Sequence, residues 1–224
     1  MDRPELSALP WFPGLLARLE AHVAAEAASG HGPRDAAHDV SHACRVARLA
    51  LRIAREEDAD GEVCAAAALL HDLVWVPKNH PDSPRTAELS AAQARDWCAE
   101  VPELAARAVA VGEAILTHSF SGGGEAESLE AKVVQDADRL EALGAIGIAR
   151  VFATGASFGA RLWHPEDPWA KGRELDDKRY SLDHFPIKLL RLQGLLQTDA
   201  GRSLARERHA VMLGFLASLR EELG

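Results

Sequence analysis

Apolar residues recur along most of the chain at intervals of three and four positions, the spacing of one face of an α-helix. In the second such segment, which starts near Asp35, the apolar face reads Val46, Leu49 and Ile53. No segment shows the convincing alternation of a half-buried strand, so the pattern predicts an all-α protein. The predicted helices cover about residues 14–28, 35–58, 62–74, 86–99, 102–117, 128–143, 146–158, 184–197 and 199–223.

Three segments interrupt this pattern. Residues 77–84 contain three prolines, residues 121–124 read Ser-Gly-Gly-Gly, and residues 161–183 are polar over more than 20 positions. A loop of that length inside a compact domain is usually functional or disordered, and its large aromatic side chains argue against disorder. These are Trp163, Trp169 and Tyr180. We expect them to anchor the loop on the core, and stacking against a nucleobase is the alternative.

Composition narrows the function classes. The 224 residues carry a net charge of -9, which disfavours a nucleic-acid partner because phosphate neutralisation needs a cationic surface. The apolar share of 47% excludes a disordered chain. The longest apolar run, residues 63–70, is too short to cross a membrane, and no targeting segment is recognisable, which predicts a cytoplasmic protein. Without a linker or repeat, one domain over residues 1–224 is the economical interpretation.

Histidine and aspartate residues fall at unusual places in these helices. His42 starts the apolar stripe of its helix, His71 and Asp72 follow Leu70 at the end of the most apolar helix, and Asp138 lies inside another apolar helix. A buried carboxylate needs a partner, and one divalent cation can serve both aspartates. Two imidazoles and two carboxylates suit Mn, Fe, Zn, Ni or Mg. Each residue alone is better explained as a satisfied core group or, for Asp138, as an arginine partner; the combination on three helices is more specific.

The order His42, His71-Asp72, Asp138 resembles the defining pattern of the HD-domain superfamily of metal-dependent phosphohydrolases. Residues 38–46, 69–74 and 133–150 resemble its three motifs, the last extended as in a small bacterial subfamily of predicted hydrolases. Residues 77–81, 117–121 and 175–185 are also similar to segments of that subfamily. The resemblance covers about residues 35–197 and implies a single HD-type helical bundle, with the C-terminal helices packed on it.

Carried over by residue, the resemblance implies that His42, His71, Asp72 and Asp138 hold a divalent metal ion, with Asp72 also catalytic. Such an ion lowers the pKa of an attacking water and neutralises charge on phosphate oxygens. His118 is expected to contact the scissile phosphate or the leaving oxygen, as a neutral or protonated imidazole. The alternatives are a second metal shared with His80, as in some relatives, and a simple helix cap.

Cationic and polar side chains near these motifs are expected to bind the substrate's phosphates, provided that the helices pack as in the family. For a single lysine, a solvated surface charge is the plainer interpretation, and for Lys188 the two are evenly balanced. The predicted substrate contacts are Arg45, Lys78, Asn79, His80, Arg85, Lys178, Asp183, His184 and Lys188.

The implied function is metal-dependent hydrolysis of a phosphate ester or anhydride in a small nucleotide-like substrate, as a nucleotide pyrophosphohydrolase or phosphatase. The alternative is an HD protein that binds or senses a nucleotide without cleaving it, which the complete ligand set disfavours. A purely structural helical scaffold would leave Asp72 and Asp138 unexplained. We expect a monomer or homodimer that acts on a small phosphorylated molecule, without a membrane partner.

Overall fold

The computed structural model describes residues 6–28, 34, 38–76, 82–117 and 126–224. These residues are helical apart from turns and loops, and they contain no strand, which confirms the all-α class. The α-helices are α1 (Phe12–Glu26), α2 (Val40–Glu56), α3 (Gly61–Leu70), α4 (Thr86–Ala99), α5 (Ala108–Leu116), α6 (Leu129–Glu141), α7 (Gly144–Ser157), α8 (Leu190–Leu192) and α9 (Asp199–Leu223).

The described residues group into two compact units, one up to Asp138 and one from Arg139 onward. In the first unit, α3 is the central helix. Every residue from Val63 to Leu70 is buried, as expected for a helix that is apolar on most sides. Helices α2 and α5 pack directly against α3, and α4 packs on α5. The end of α3, which carries His71 and Asp72, is therefore held by the core of this unit.

Helix α2 begins later than the sequence pattern indicates. The predicted start at Asp35 is wrong, because residues 38 and 39 are not helical and the N-cap is Asp39. The Asp39 carboxylate accepts a hydrogen bond from the backbone amide of His42 at 2.7 Å, which satisfies one of the free amides of the first turn. The cap thus places His42 in the first turn of α2.

Helix α3 ends earlier than predicted, at Leu70 instead of residue 74. The carbonyl groups of Asp72 and Leu73 accept hydrogen bonds from the Arg34 side chain, so a tertiary contact and not a longer helix satisfies them. Residues 102–117 are likewise not one α-helix, because a 3₁₀ segment at Ala105–Arg107 precedes α5.

In the second unit, α7 packs on α9, and Phe152, Phe185 and Phe215 meet with ring centroids about 6 Å apart. The helix predicted over residues 184–197 is irregular: a π-helical turn at Phe185–Leu189 leads into α8 and a 3₁₀ turn at Gln193–Leu195. Pro186 lies in the first turn of this segment, where its missing N–H removes no helical hydrogen bond.

The long polar segment 161–183 is an ordered loop whose two ends pair with each other. The amide of Arg161 donates to the carbonyl of Arg179, and the amide of Ser181 donates to the carbonyl of Arg161. Tyr180 is buried, and Trp169 lies under the guanidinium of Arg220 in α9, 4.4 Å from its ring centre. These contacts support the interpretation that the loop aromatics anchor the loop.

Among the described residues, no single helix combines the length and the apolar character that a membrane crossing requires. Only α6 and α7 taken together reach that length and composition, across the break between them. All three cysteines are free; Cys64 and Cys98 are buried in the core, and Cys44 is half-buried. Burial raises the pKa of the Cys98 thiol to about 12, which makes it a poor nucleophile.

The start of α3 offers a test of the first unit's stability. Asp60 caps this helix by accepting hydrogen bonds from the amides of Glu62 and Val63, and it pairs with Arg107 at 2.8 Å. We expect Asp60→Ala to lower the free energy of unfolding by about 1 kcal/mol, the usual cost of a lost cap. Urea unfolding at pH 7 measures this loss, and Asp60→Asn, which keeps the cap, should lose clearly less.

The same position predicts a pH dependence. Burial opposes ionisation of Asp60, but the hydrogen bonds from Arg107 and the two amides outweigh it and lower the pKa below 3.8. A lowered pKa means that the ionised carboxylate stabilises the fold above pH 3.8 and that this contribution is lost as the pH falls. The stability gap between wild type and Asp60→Asn should therefore narrow in acid; a constant gap would contradict the ion-pair contribution.

Candidate metal centre

The first predicted ligand, His42, lies at the start of the buried stripe of α2 and is 1% exposed. The stripe continues through Val46, Ala50 and Ile53, which are fully buried. His38 stands edge-on to His42, with ring centroids 6.0 Å apart, so the preceding residue of the motif supports the ring. The packing of the buried stripe of α2 and the contact with His38 thus restrict the orientation of the His42 imidazole.

The second and third ligands follow the last turn of α3. His71 is 1% exposed, and its Nδ1 lies 2.8 Å from the carbonyl oxygen of Ala68. A carbonyl only accepts hydrogen bonds, so Nδ1 carries a proton and Nε2 is the nitrogen left to bind a metal. This is the usual way in which a protein orients a histidine for a metal. The Asp72 carboxylate lies 3.3 Å from this Nε2.

The fourth ligand, Asp138, comes from α6 and completes the group. Its Oδ1 lies 3.5 Å from Nε2 of His42 and 3.8 Å from Nε2 of His71. Ligand atoms of His42, His71 and Asp72 all lie within 4.8 Å of one another. The structure thus brings together all four residues that the sequence predicts as ligands.

The spacing of these atoms fits a bound cation. Metal–ligand bonds of about 2.1 Å put neighbouring ligand atoms about 3 Å apart and opposite ones about 4.2 Å apart. The separations of 3.3, 3.5 and 3.8 Å lie in this range. Imidazole nitrogens and carboxylate oxygens are also a donor set that divalent metals accept. These residues can hold a divalent metal ion.

The group is closed on one side and open on the other. The histidine side chains are 1% exposed, whereas the side chains of Asp72 and Asp138 are 28% and 33% exposed. The imidazoles therefore form a buried floor, and the two carboxylates lie where solvent reaches. A site of this shape leaves positions for water and substrate oxygens beside the carboxylates.

The electrostatics of the group favour positive charge. Burial on its own lowers the pKa of His71, but the carboxylates of Asp72 and Asp138 outweigh it and raise the pKa to about 9. Burial raises the pKa of Asp138, but the hydrogen bond from His42 and the charge on His71 prevail and hold the pKa well below its ordinary value. The same field that favours a cationic imidazole attracts a metal cation.

Four predicted residues lie outside the described part of the chain, namely Lys78, Asn79, His80 and His118. Two others belong to the first unit. Arg45 is half-buried on α2 and donates to the Ser41 hydroxyl at 2.8 Å, and Arg85 is exposed and pairs with Glu88 at 3.1 Å. The catalytic role of His118 and the substrate-binding roles of the other five residues stay predictions.

The remaining predicted contacts lie in the second unit. His184 donates from Nδ1 to the Asp177 carboxylate at 2.8 Å. Burial lowers the pKa of His184; Asp177 opposes this shift, whereas the nearby charges of Lys188 and Lys178 reinforce it. Lys178 and Lys188 therefore lie near His184. Asp183 is buried, and both of its oxygens accept hydrogen bonds from Arg173.

Sequence reasoning missed several residues that support the centre. Arg34 binds the backbone behind Asp72, and Glu26 holds Arg34 in place. Gln135 donates to the carbonyl of Thr117, and Asp136 is fully buried beside the Asp138 turn of α6. The N-cap residue Asp39 is the supporting residue that the sequence could have identified, because its position three residues before His42 is a typical N-cap spacing.

The sequence matches the model of a known protein family. Residues 39–143, which span all four predicted ligands, match the model of the HD domain family. Together with the relatives below, this match shows that the chain belongs to the HD-domain superfamily, which confirms the resemblance seen in its motifs. The HD-domain superfamily is a class of helical hydrolases, and this chain is one of its members.

Individual relatives are similar over nearly the whole chain. YpgQ from Bacillus subtilis strain 168, a protein described as uncharacterized, is 37% identical over 190 residues, 83% of this chain and 84% of YpgQ. The crystal structure of YpgQ in complex with ADP has a TM-score of 0.66 at 30% identity and covers 94% of this chain and 93% of its own. An HD-superfamily hydrolase from Bacillus thuringiensis has a TM-score of 0.65 at 30% identity, with 94% and 97% coverage.

Proposed function

We propose that this protein is a metal-dependent phosphohydrolase that cleaves a phosphate ester or anhydride of a small nucleotide. The observation that carries the proposal is the convergence of His42, His71, Asp72 and Asp138, with buried imidazoles and partly exposed carboxylates. The ADP bound to the similar protein YpgQ supports a nucleotide as the ligand class.

The proposed division of labour follows from the residues. A divalent metal ion, when bound, supplies charge neutralisation for phosphate oxygens and makes water a better nucleophile at neutral pH. His42 and His71 hold their rings in place through packing and the Ala68 carbonyl, so that little reorganisation is needed. Asp72 and Asp138, on the open side, are placed to orient water by accepting its hydrogen bonds.

Two further parts of the proposal come from the sequence. His118 is proposed to donate the proton that the leaving oxygen needs. Lys178, His184 and Lys188 are proposed to bind phosphate oxygens, which their shared neighbourhood in the second unit favours. An acidic protein with a few placed cations suits a small nucleotide better than a nucleic acid.

A turnover screen tests the proposal. Protein purified without chelator is assayed with nucleoside mono-, di- and triphosphates and an aryl phosphate, in Mn, Mg, Ni or Co, and products are identified by phosphorus NMR. We expect metal-dependent release of phosphate or pyrophosphate, which also identifies the bond cut. His71→Ala is the control for a contaminating phosphatase. Tight nucleotide binding without turnover in any metal would instead support the sensor alternative.

A further inference from the structure

Arg34 is a nearly buried arginine whose guanidinium is held from one side by Glu26. Its side chain is 7% exposed, and Nε and Nη2 donate to one Glu26 oxygen at 3.0 and 2.6 Å. A buried charge is costly unless it is paired, and Glu26 supplies the partner. Glu26 in turn lies on α1, within 3.3 Å of the His22 imidazole.

The same guanidinium also binds the turn that carries two of the proposed metal ligands, His71 and Asp72. Nη1 donates to the carbonyl of Asp72 at 2.7 Å, and Nη2 donates to the carbonyl of Leu73 at 2.9 Å. The imidazole of His22 also lies 3.2 Å from the Leu73 oxygen. Carbonyls beyond a helix end have no partner within the helix, and a planar guanidinium can bind two of them at once.

Fixing these carbonyls fixes the ligand geometry. With two consecutive carbonyls bound, the peptide between Asp72 and Leu73 has one orientation, and the backbone of Asp72 directs its Cα–Cβ bond. The ring of His71 is already oriented by the Ala68 carbonyl, and its Nε2 lies 3.3 Å from the Asp72 carboxylate. Arg34 therefore acts on the backbone of the second residue of this pair.

Arg34 lines a cavity beside this turn that is too small for a nucleotide. The cavity between Arg34, His38, His42 and Asp72 measures about 10 Å³. That volume is near the minimum for one water molecule, and nucleotide-sized ligands occupy pockets of about 300 Å³ or more. A direct contact between Arg34 and a nucleotide through this cavity is excluded by size.

We propose that Arg34, held by Glu26, is a positioning residue that sets the geometry of the His71-Asp72 ligand pair. This inference rests on the proposed function, because it requires that the pair binds a metal. It adds a second layer to the centre, built from α1 and from a residue that precedes the HD motifs. Outer residues of this kind commonly change metal affinity by about 10- to 100-fold when they are replaced.

Cobalt binding tests the inference without an activity assay. Co²⁺ is titrated into wild type, Arg34→Met and Arg34→Lys, and both the affinity and the visible absorption spectrum, which reports coordination geometry, are recorded. We expect Arg34→Met to weaken Co²⁺ binding about 10- to 100-fold and to alter the spectrum. Lysine keeps the charge but cannot bridge two carbonyls and Glu26. Arg34→Lys should therefore weaken binding about tenfold.

The control is Arg52→Met, which removes an arginine of α2 that pairs with Glu56 and is 41% exposed. It should leave affinity and spectrum unchanged. Arg34 variants with reduced thermal stability but wild-type Co²⁺ affinity and spectrum would overturn the positioning role. If Arg34→Met does not fold, the same comparison is made with Arg34→Lys and Glu26→Gln. A wild-type protein that binds no Co²⁺, Mn²⁺ or Ni²⁺ would overturn the proposed function itself.

Discussion

Asp138→Asn is expected to release the metal ion and to lower the hydrolytic rate by about a thousand-fold. The substitution keeps the size and shape of the side chain but replaces an anionic ligand oxygen by a neutral amide. Asp138 is the proposed ligand on α6, and its Oδ1 lies 3.5 Å from Nε2 of His42 and 3.8 Å from Nε2 of His71. Its pKa is held well below the ordinary value, so the wild-type side chain is an ionised carboxylate at neutral pH.

The magnitude follows from what the ion supplies. Charge stabilisation by a metal ion contributes several kcal/mol to the transition state, and each 1.36 kcal/mol corresponds to about tenfold in rate. Metal content after gel filtration and kcat/KM on the best nucleotide measure the two effects. Asp96→Asn, the same exchange at an exposed position of α4, is the control. An Asp138→Asn protein that keeps both stoichiometric metal and its rate would contradict the four-ligand centre.

The positions of three of the predicted ligands follow from local sequence rules. His42 continues an apolar stripe of period 3.6, and His71-Asp72 follows a helix that is apolar on most sides. The apolar stripe of α2 and the whole of α3 must face the core, so a polar residue within that stripe or at the end of α3 is placed at the core as well. Their convergence needed the resemblance to the HD family, since periodicity alone does not say which helices meet.

Helix ends were less predictable, because tertiary contacts decide them. Residues 71–74 continue the apolar pattern of α3, yet Arg34 binds the carbonyls at positions 72 and 73. Arg34 lies 38 residues away from Asp72 and outside any helical pattern, so no local rule links the two. The π-helical turn around Pro186 is similar: apolar spacing over a few residues does not separate an α-helix from a π-helix.

Asp183→Ala is expected to lower the unfolding free energy of the protein by about 3–5 kcal/mol, the cost of breaking a buried ion pair by removing one partner. Asp183 is 1% exposed, and its two oxygens accept from Nη1 and Nη2 of Arg173 at 2.5 and 2.8 Å. One of these oxygens also accepts from the amide of Asp176. The truncation leaves a largely buried guanidinium, stacked over Tyr180, without its counter-charge.

This result separates two roles of Asp183. The sequence predicts a substrate contact, and the loss of such a contact would raise KM while stability stays unchanged. The two oxygens of Asp183 already bind Arg173 and have little capacity left for a ligand. We therefore expect Asp183→Ala to change the stability measured by chemical denaturation, and not KM. Asp199→Ala, which removes an exposed partner of Arg202, should cost under about 1 kcal/mol and serves as the control. The double variant Arg173→Met/Asp183→Leu should recover much of the loss, because no unpaired charge then remains buried.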